Sequence, residues 1–346
     1  MTSHLQQEIL EQPETLRHLI AQERERIRQV AKAIRDYNPR FIMLAARGSS
    51  DNAARYGQYL FGTINRLPVA LATPSLFTLY EKPPRMAESL VIAISQSGQS
   101  PDIVAVVEEG RRQGAMTVAI TNDVESPLAQ AAAHTICLHT GPERSVAATK
   151  TYTSSLVAIA MLSAAIDENE DCLHAIETVP DLITRVTGDT DKIIRASERY
   201  RYMDACVVVS RGYNYATAYE IALKLKELTY ILAEPYSTAD FQHGPLALVA
   251  HGFPVMVIVP QNTLVDEVTD FVDELKQRGA ELLIISAHQP ALDLAQTALP
   301  LPSNIPEWLS PVVAVVPGQL FALGLTRAKG YDIDQPRNIH KVTRTE

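Results

Sequence analysis

Short apolar runs, each followed by a turn and a helix-compatible segment, recur along this chain. The first half contains five such runs, at residues 41–45, 69–71, 90–94, 117–120 and 135–138. Alternation of buried strands with helices predicts a parallel sheet covered by helices on both faces. We therefore expect an α/β fold.

The same unit occurs again in the second half. Arg47 and Arg211 each follow an apolar run, and they lie 164 residues apart. The runs at 91–94 and 255–258 have the same separation. Landmarks that keep a constant separation and a common context indicate duplication of one α/β unit. The expected domains are an N-terminal helical segment (1–38), a first domain (39–170), connecting helices with a second domain (171–335) and a C-terminal tail (336–346).

Composition narrows the class of protein. The chain has 346 residues, 46% of them hydrophobic, which is enough for two domain cores. A formal net charge of −9 argues against nucleic acid or an anionic membrane as a partner. The three cysteines lack metal-ligand spacing and fit a reducing compartment. The N-terminus does not resemble a signal peptide, and no apolar run is expected to approach the length of a membrane span. We expect a cytoplasmic protein without a metal site.

A turn of small polar residues follows the run at 90–94. It contains Ser95, Gln96, Ser97, Gly98 and Ser100, and a helix-compatible segment begins directly after it. Backbone N–H groups, hydroxyls and the positive end of a helix would meet there, an arrangement that favours phosphate. The corresponding position of the second copy has proline and bulky residues (260–263). Only the first copy is therefore expected to bind an anion.

The second half contains charged residues that suggest chemistry. Glu220, Lys224 and Glu227 are spaced i, i+4, i+7 and so share one helix face. By spacing alone this face is more typical of a salt-bridged solvent surface, although the segment around it is apolar. His243 precedes Gly-Pro in a loop, where it either caps a turn or acts in chemistry. The polar tail at 332–341 is a frayed terminus by composition alone.

Five motifs in order carry a family resemblance. They are SQSG (95–98), VAATK (146–150), ALKLKE (222–227), HGPLAL (243–248) and DQPRN (334–338). Together they resemble the double sugar isomerase (SIS) family, and within it the isomerase part of glucosamine-6-phosphate synthase, over about residues 40–346. The resemblance implies two tandem flavodoxin-like SIS domains in a homodimer, which bind hexose 6-phosphates and move a proton between C1 and C2.

The resemblance also implies roles for individual residues. The implied substrate-binding residues are Ser49, Ser50, Ser95, Gln96, Ser97, Ser100, Val146 and Lys224. Glu227 matches the glutamate that moves the proton, and a positioned carboxylate suits that task. His243 matches the histidine that assists ring opening, supplied by the neighbouring subunit. Lys341 matches the tail lysine near the sugar carbonyl, where it either stabilises an oxyanion or forms an imine.

Three departures from the synthase pattern guide the choice of reaction. Ala148 replaces a serine, Arg47 replaces a small residue, and no glutaminase segment with a catalytic cysteine precedes the first domain. The last departure favours the degradative direction, in which a glucosamine-6-phosphate deaminase forms fructose 6-phosphate and ammonia. The alternatives are a galactosamine-6-phosphate deaminase/isomerase or deglycase, an isomerase subunit that takes ammonia from a separate glutaminase, and a non-enzymatic sugar-phosphate sensor. No cofactor is expected, because the substrate carbonyl provides the electron sink.

Overall fold

The structure, a computed structural model, describes residues 2–341, apart from the side chain of residue 262. Residues 342–346 of the predicted tail therefore lie outside the described residues. The strands are β1 (Phe41–Ala45), β2 (Val69–Leu71), β3 (Ser89–Ile94), β4 (Met116–Thr121), β5 (His134–Cys137), β6 (Ala205–Ser210), β7 (Leu232–Ser237), β8 (Pro254–Ile258), β9 (Glu281–Ser286) and β10 (Thr297–Pro300). Each predicted strand of the first half is confirmed to within one residue at either end.

Helices connect these strands. They are α1 (His4–Tyr37), α2 (Gly48–Thr63), α3 (Ser75–Thr78), α4 (Pro101–Arg112), α5 (Pro127–Ala131), α6 (Lys150–Ile166), α7 (Glu170–Glu177), α8 (Val179–Thr187), α9 (Thr190–Ser197), α10 (Tyr215–Thr229), α11 (Thr238–Gln242), α12 (Val265–Gln277), α13 (Gln289–Leu292) and α14 (Ser310–Lys329).

The strands form two five-stranded sheets with the same topology. The first sheet has the order β2-β1-β3-β4-β5 and the second β7-β6-β8-β9-β10, and all neighbouring strands are parallel. β1 begins at Phe41 and its counterpart β6 at Ala205, 164 residues later. The duplicated α/β fold is therefore confirmed.

The chain divides into two compact units, each containing one sheet. The first-sheet unit comprises Gln12–Glu143, Lys150–Thr178 and the residues from His340 onward. The second-sheet unit comprises Met1–Glu11, Arg144–Thr149 and Val179–Ile339. The predicted domains follow the chain without interruption, whereas each unit also takes in short segments from elsewhere in the sequence.

The central strands are buried as continuous apolar runs. All six residues of β3 and all six of β4 are buried, as expected for strands covered on both faces. The first core combines these strands with apolar residues of α4, among them Ile103, Val106 and Val107. The second core is built in the same way from β6, β8 and β9 with α12.

Helix α14 is apolar around its whole circumference. By length and composition alone, the segment Glu307–Lys329 is long and apolar enough to cross a membrane, so the expectation that no apolar run approaches that length was wrong. Every residue of the most apolar stretch of this segment is buried, which is also typical of the core helix of a soluble protein. Gly318 allows α10 to approach α14 closely, because an added Cβ would lie 2.4 Å from the Ile221 side chain. This packing fixes α10 within the second-sheet unit.

Helix α1 begins at His4, nine residues before Pro13, although proline is most common in the first turn of a helix. The carboxylate of Asp334 accepts hydrogen bonds from the backbone N–H groups of His4 and Leu5, each at 3.1 Å. Because these donors have no partner within the helix itself, a carboxylate at this end stabilises the first turn. The helix then continues through Pro13.

Candidate active site

The serine-rich turn lies at the carboxyl edge of the first sheet. β1 and β3 pair in parallel up to Ala45 and Ala93, so the segments that follow them leave the sheet side by side. In the order β2-β1-β3, this is where the strand order reverses, the position at which open α/β sheets bind ligands. Ser49 and Ser50, half-buried at the start of α2, therefore share an edge with the serine turn.

The turn has a fixed conformation. The Gly98 N–H donates to Ser95 Oγ at 3.1 Å, and the Gln99 N–H donates to Ser97 Oγ at 3.3 Å. Gly98 has a φ of +62°, and a Cβ at this position would lie 2.1 Å from Ser126 Oγ. Both the conformation and the close approach require glycine.

Several donors of the turn remain available. Within residues 2–341, no acceptor is found for the backbone N–H groups of Gln96, Ser97 and Ser100. Helix α4 begins at Pro101 directly after them, with Ser100 as its N-cap residue. Free N–H groups next to a helix start favour an anion, and the phosphate site at this turn stays a prediction.

An ion pair lies beside this turn. Arg47 Nε donates to Asp102 Oδ2 at 2.8 Å, and Nη2 lies 2.8 Å from the same oxygen. The Asp102 side chain is 0% exposed, whereas that of Arg47 is 49% exposed. Nearby, Arg55 pairs with Asp51 at 3.3 Å. Burial raises the pKa of Asp51, although the charges of Arg55 and Arg47 oppose this effect.

In the second-sheet unit, α10 contains a buried charge cluster. Lys224 Nζ donates to Glu227 Oε2 at 2.6 Å and lies 3.4 Å from Glu220 Oε1. The side chains of Lys224 and Glu220 are 1% and 0% exposed, whereas Glu227 is 24% exposed. Burial alone would lower the pKa of Lys224, but the two carboxylates outweigh it and raise that pKa. The interpretation as a salt-bridged solvent face was wrong for these residues.

His243 and Val146 also belong to the second-sheet unit. His243 follows α11, its backbone N–H donates to the Asp240 carbonyl at 3.2 Å, and its side chain is exposed. Val146 is half-buried in a short segment that is held by Glu8, whose carboxylate accepts hydrogen bonds from Ser145.

Lys341 is anchored in the first-sheet unit. Its Nζ donates to Glu143 Oε2 at 2.5 Å, and the Glu143 side chain is 0% exposed. Thr151 holds the same carboxylate through its backbone N–H at 3.1 Å and its hydroxyl at 2.7 Å. Earlier in the tail, Arg337 stacks on the Tyr230 ring at 3.9 Å within the second-sheet unit. The interpretation of a frayed tail is wrong for the residues up to Lys341.

The predicted residues therefore form two groups. The first-sheet unit contains the predicted serines with Gln96 and, separately, the tail residue Lys341. The second-sheet unit contains Lys224 and Glu227 in direct contact, together with His243 and Val146. Glu227 and the serine turn belong to different units, so neither unit by itself contains both.

Three acidic residues were not among the predicted site residues. Glu143, Asp102 and Glu220 each hold a basic residue from a buried position. Two of them had a signal in the sequence: Asp102 lies in the first turn of α4, and Glu220 lies four residues before Lys224. Nothing in the sequence connects Glu143 to Lys341, which is 198 positions later. Among the described residues, no group of three or more His, Cys, Asp or Glu side chains is placed to hold a metal ion.

Comparison with known proteins identifies the family. A model described as the SIS domain matches residues 37–165 and 204–326. Glutamine–fructose-6-phosphate aminotransferase [isomerizing] from Thermococcus kodakarensis is 35% identical over 98% of this chain and 57% of its own length. The chain thus spans just over half the length of the curated relatives it matches.

Two solved structures resemble the whole chain. The C-terminal domain of glucosamine-fructose-6-phosphate aminotransferase from Francisella tularensis superimposes with a TM-score of 0.88 at 26% identity, over 97% of this chain and 99% of that one. A candidate phosphosugar isomerase from Silicibacter pomeroyi DSS-3 gives a TM-score of 0.87 at 32% identity, over 96% of this chain and 100% of that one. This chain is a member of the SIS sugar isomerase family, with two SIS domains in tandem.

Proposed function

We propose that this protein isomerises an amino-sugar 6-phosphate, as the isomerase part of glutamine–fructose-6-phosphate aminotransferase does. The reaction converts fructose 6-phosphate and ammonia into glucosamine 6-phosphate and water, and it can run in either direction. The observation that carries the proposal is the pairing of Glu227 with buried Lys224, which fixes a partly exposed carboxylate in position. The names of the relatives support the choice of sugar phosphates.

The relatives favour this reaction over the deaminase expected from the sequence. Eight of the matched curated relatives carry the aminotransferase name at 31–35% identity. The deaminase uses the same isomerisation in reverse and then hydrolyses the fructose 6-phosphate imine. The two functions therefore share the site and differ in direction and in the source or fate of ammonia.

In this proposal the serine turn binds the phosphate through its N–H groups and hydroxyls. Glu227 transfers a proton between C1 and C2, a step that a fixed carboxylate can perform in both directions. Lys224 holds that carboxylate in place from its buried position behind Glu227. His243 assists ring opening, for which a group that exchanges protons near neutral pH is suited.

Lys341 contributes near the carbonyl carbon. Its Nζ either stabilises the oxyanion that develops during enolisation or forms an imine with the open-chain sugar. The salt bridge to Glu143 supports the first role, because a protonated amine donates hydrogen bonds but does not attack a carbonyl. Imine formation would require this pair to separate and the amine to lose a proton.

The test measures both directions with one preparation. Fructose 6-phosphate with ammonium at high concentration should give glucosamine 6-phosphate, and glucosamine 6-phosphate should give fructose 6-phosphate and ammonia. Glu227→Gln should lower kcat by about 10²- to 10⁴-fold, the usual contribution of a general base. Glu234→Gln, which changes an exposed carboxylate of β7, is the matched control and should remain active. Conversion in neither direction, or a fully active Glu227→Gln variant, would refute the proposal.

The proposal includes a homodimer in which His243 acts on the substrate of the neighbouring subunit. The exposed position of His243, close to exposed Leu248, is compatible with this role. Mixing inactive Glu227→Gln and His243→Ala subunits should restore activity, because one of the two shared sites would then be intact. If both residues act within one chain, every site in the mixture stays inactive.

A further inference from the structure

Arg47 is held by its ion pair with Asp102 next to the serine turn. It follows β1, whose carboxyl end lies beside that of β3. Its partner Asp102 lies in the first turn of α4, two residues after Ser100. The guanidinium is thus fixed next to the segment that presents the free N–H groups of the turn.

The guanidinium is only partly used by this ion pair. It has five N–H donors, and its Nε and Nη2 atoms both lie against the single oxygen Asp102 Oδ2. The Asp102 side chain is completely buried, but Arg47 is 49% exposed. The half-exposed side chain therefore retains donors, including both on Nη1, that Asp102 does not occupy.

The charges around the serine turn explain why a cation would be needed to bind a phosphate there. Residues 95–100 contain no basic side chain, so the turn itself offers only dipoles and hydroxyls. Buried Asp102 and partly buried Asp51 lie close by, and both carboxylates would repel a phosphate dianion. Arg55 pairs with Asp51, which leaves Arg47 as the cation beside Asp102.

We propose that Arg47 is a direct ligand of the substrate phosphate, positioned for this role by Asp102. The inference rests on the proposed function for the identity of the substrate as a sugar 6-phosphate. A guanidinium matches two phosphate oxygens at once, so Arg47 adds charge and orientation to the N–H groups of the turn. The small residue found at this position in the synthase pattern could not do so.

A simpler role for Arg47 would be to neutralise Asp102. Two variants separate the roles, because the charge of Asp102 is already removed in both: Asp102→Asn, and Asp102→Asn combined with Arg47→Met. If Arg47 is a phosphate ligand, the double variant binds more weakly than Asp102→Asn. If Arg47 only neutralises Asp102, the two bind equally. Neither variant leaves a bare buried carboxylate at position 102, so folding is preserved better than in Arg47→Met alone.

The measurement is calorimetric titration with fructose 6-phosphate and with inorganic phosphate. Loss of a charged hydrogen bond to phosphate should weaken the binding of both by about ten- to a hundredfold in the double variant relative to Asp102→Asn. Arg40→Met is the matched control, because Arg40 precedes β1 at the opposite edge of the same sheet and is 75% exposed. It should bind both probes like the wild type.

The outcomes distinguish this inference from the proposed function. Equal affinities of Asp102→Asn and the double variant, in a protein that converts sugar phosphates, would overturn the role of Arg47 and leave the function intact. A difference in phosphate binding, in a protein that converts neither sugar phosphate, would support Arg47 as an anion ligand and refute the proposed reaction. An equal loss in Arg40→Met would reduce the effect to general charge and overturn the inference.

Discussion

Replacing Lys224 with methionine should destabilise the protein strongly. Methionine keeps an unbranched side chain of similar length, so packing on α10 changes little. The loss comes from Glu220, whose 0% exposed carboxylate would remain buried without its cation. Removing one partner of a buried ion pair costs about 3–5 kcal/mol. Glu227 adds little to this loss, because it is 24% exposed and can be hydrated.

The assay is equilibrium unfolding in urea at pH 7. Lys224→Met should lower the free energy of unfolding by about 3–5 kcal/mol. Adding Glu220→Gln should recover most of this loss, since no bare buried charge remains. Lys226→Met is the control on the same helix: its ion pair with Glu234 spans 3.8 Å between side chains that are 39% and 55% exposed, so the change should be at most about 1 kcal/mol. A loss below about 1 kcal/mol for Lys224→Met would refute the reasoning.

The same cluster predicts a pH dependence. The carboxylates raise the pKa of Lys224 in the folded protein above its unfolded value of about 10.4. The stability that this shift contributes is therefore complete below about pH 10.4 and is lost as the pH rises above it. Above pH 7, relative to the Glu220→Gln/Lys224→Met double variant, the wild type should lose stability only in that alkaline range. A difference that changes between pH 7 and 9 would contradict this assignment.

Two further predictions concern the serine turn and the cysteines. Gly98→Ala should lower the free energy of unfolding by about 2–5 kcal/mol, because alanine is strained at φ +62° and its Cβ collides with Ser126. The variant should also lose the binding of inorganic phosphate in a calorimetric titration. Gly62→Ala is the control: no atom lies within 4 Å of the added Cβ, so this variant should fold and bind phosphate like the wild type. Burial raises the pKa of Cys206 to about 12. In thiol labelling at pH 8, Cys206 should therefore react only when the protein unfolds, after the half-buried Cys137 and Cys172. Equal labelling rates for all three cysteines would contradict the burial of Cys206.

The strands and their duplication could be predicted from the sequence because buried parallel strands appear as continuous apolar runs. β3 and β4 are buried at every residue, so neither needed an alternating pattern to be recognised. The turn at residues 95–100 was equally accessible, since glycine and small hydroxyl residues between a strand and a helix are typical of a turn. These features depend on residues that are close together in the sequence.

The features that the sequence did not reveal depend on distant partners. Asp334 caps α1 across 330 positions, and this contact stabilises a helix start at His4, nine residues before Pro13. Lys341 pairs with Glu143 across 198 positions, which turns a polar tail into an ordered one. The burial of Lys224 follows from the packing of α10 within its unit, and i, i+4 spacing alone cannot distinguish a buried charge cluster from an exposed one.

The two copies use different parts of equivalent helices: one uses the helix start, and the other uses side chains in the helix body. α2 and α10 occupy equivalent places, each after the first strand of its sheet. α2 carries Ser49 and Ser50 in its first turn, at the positive end of the helix, a position that favours an anion. Lys224 and Glu227 lie in the body of α10, where the backbone groups are already paired and only side chains can act. A duplicated scaffold can therefore bind an anion with the start of one helix and place a base on the middle of the other, without altering the strands of either sheet.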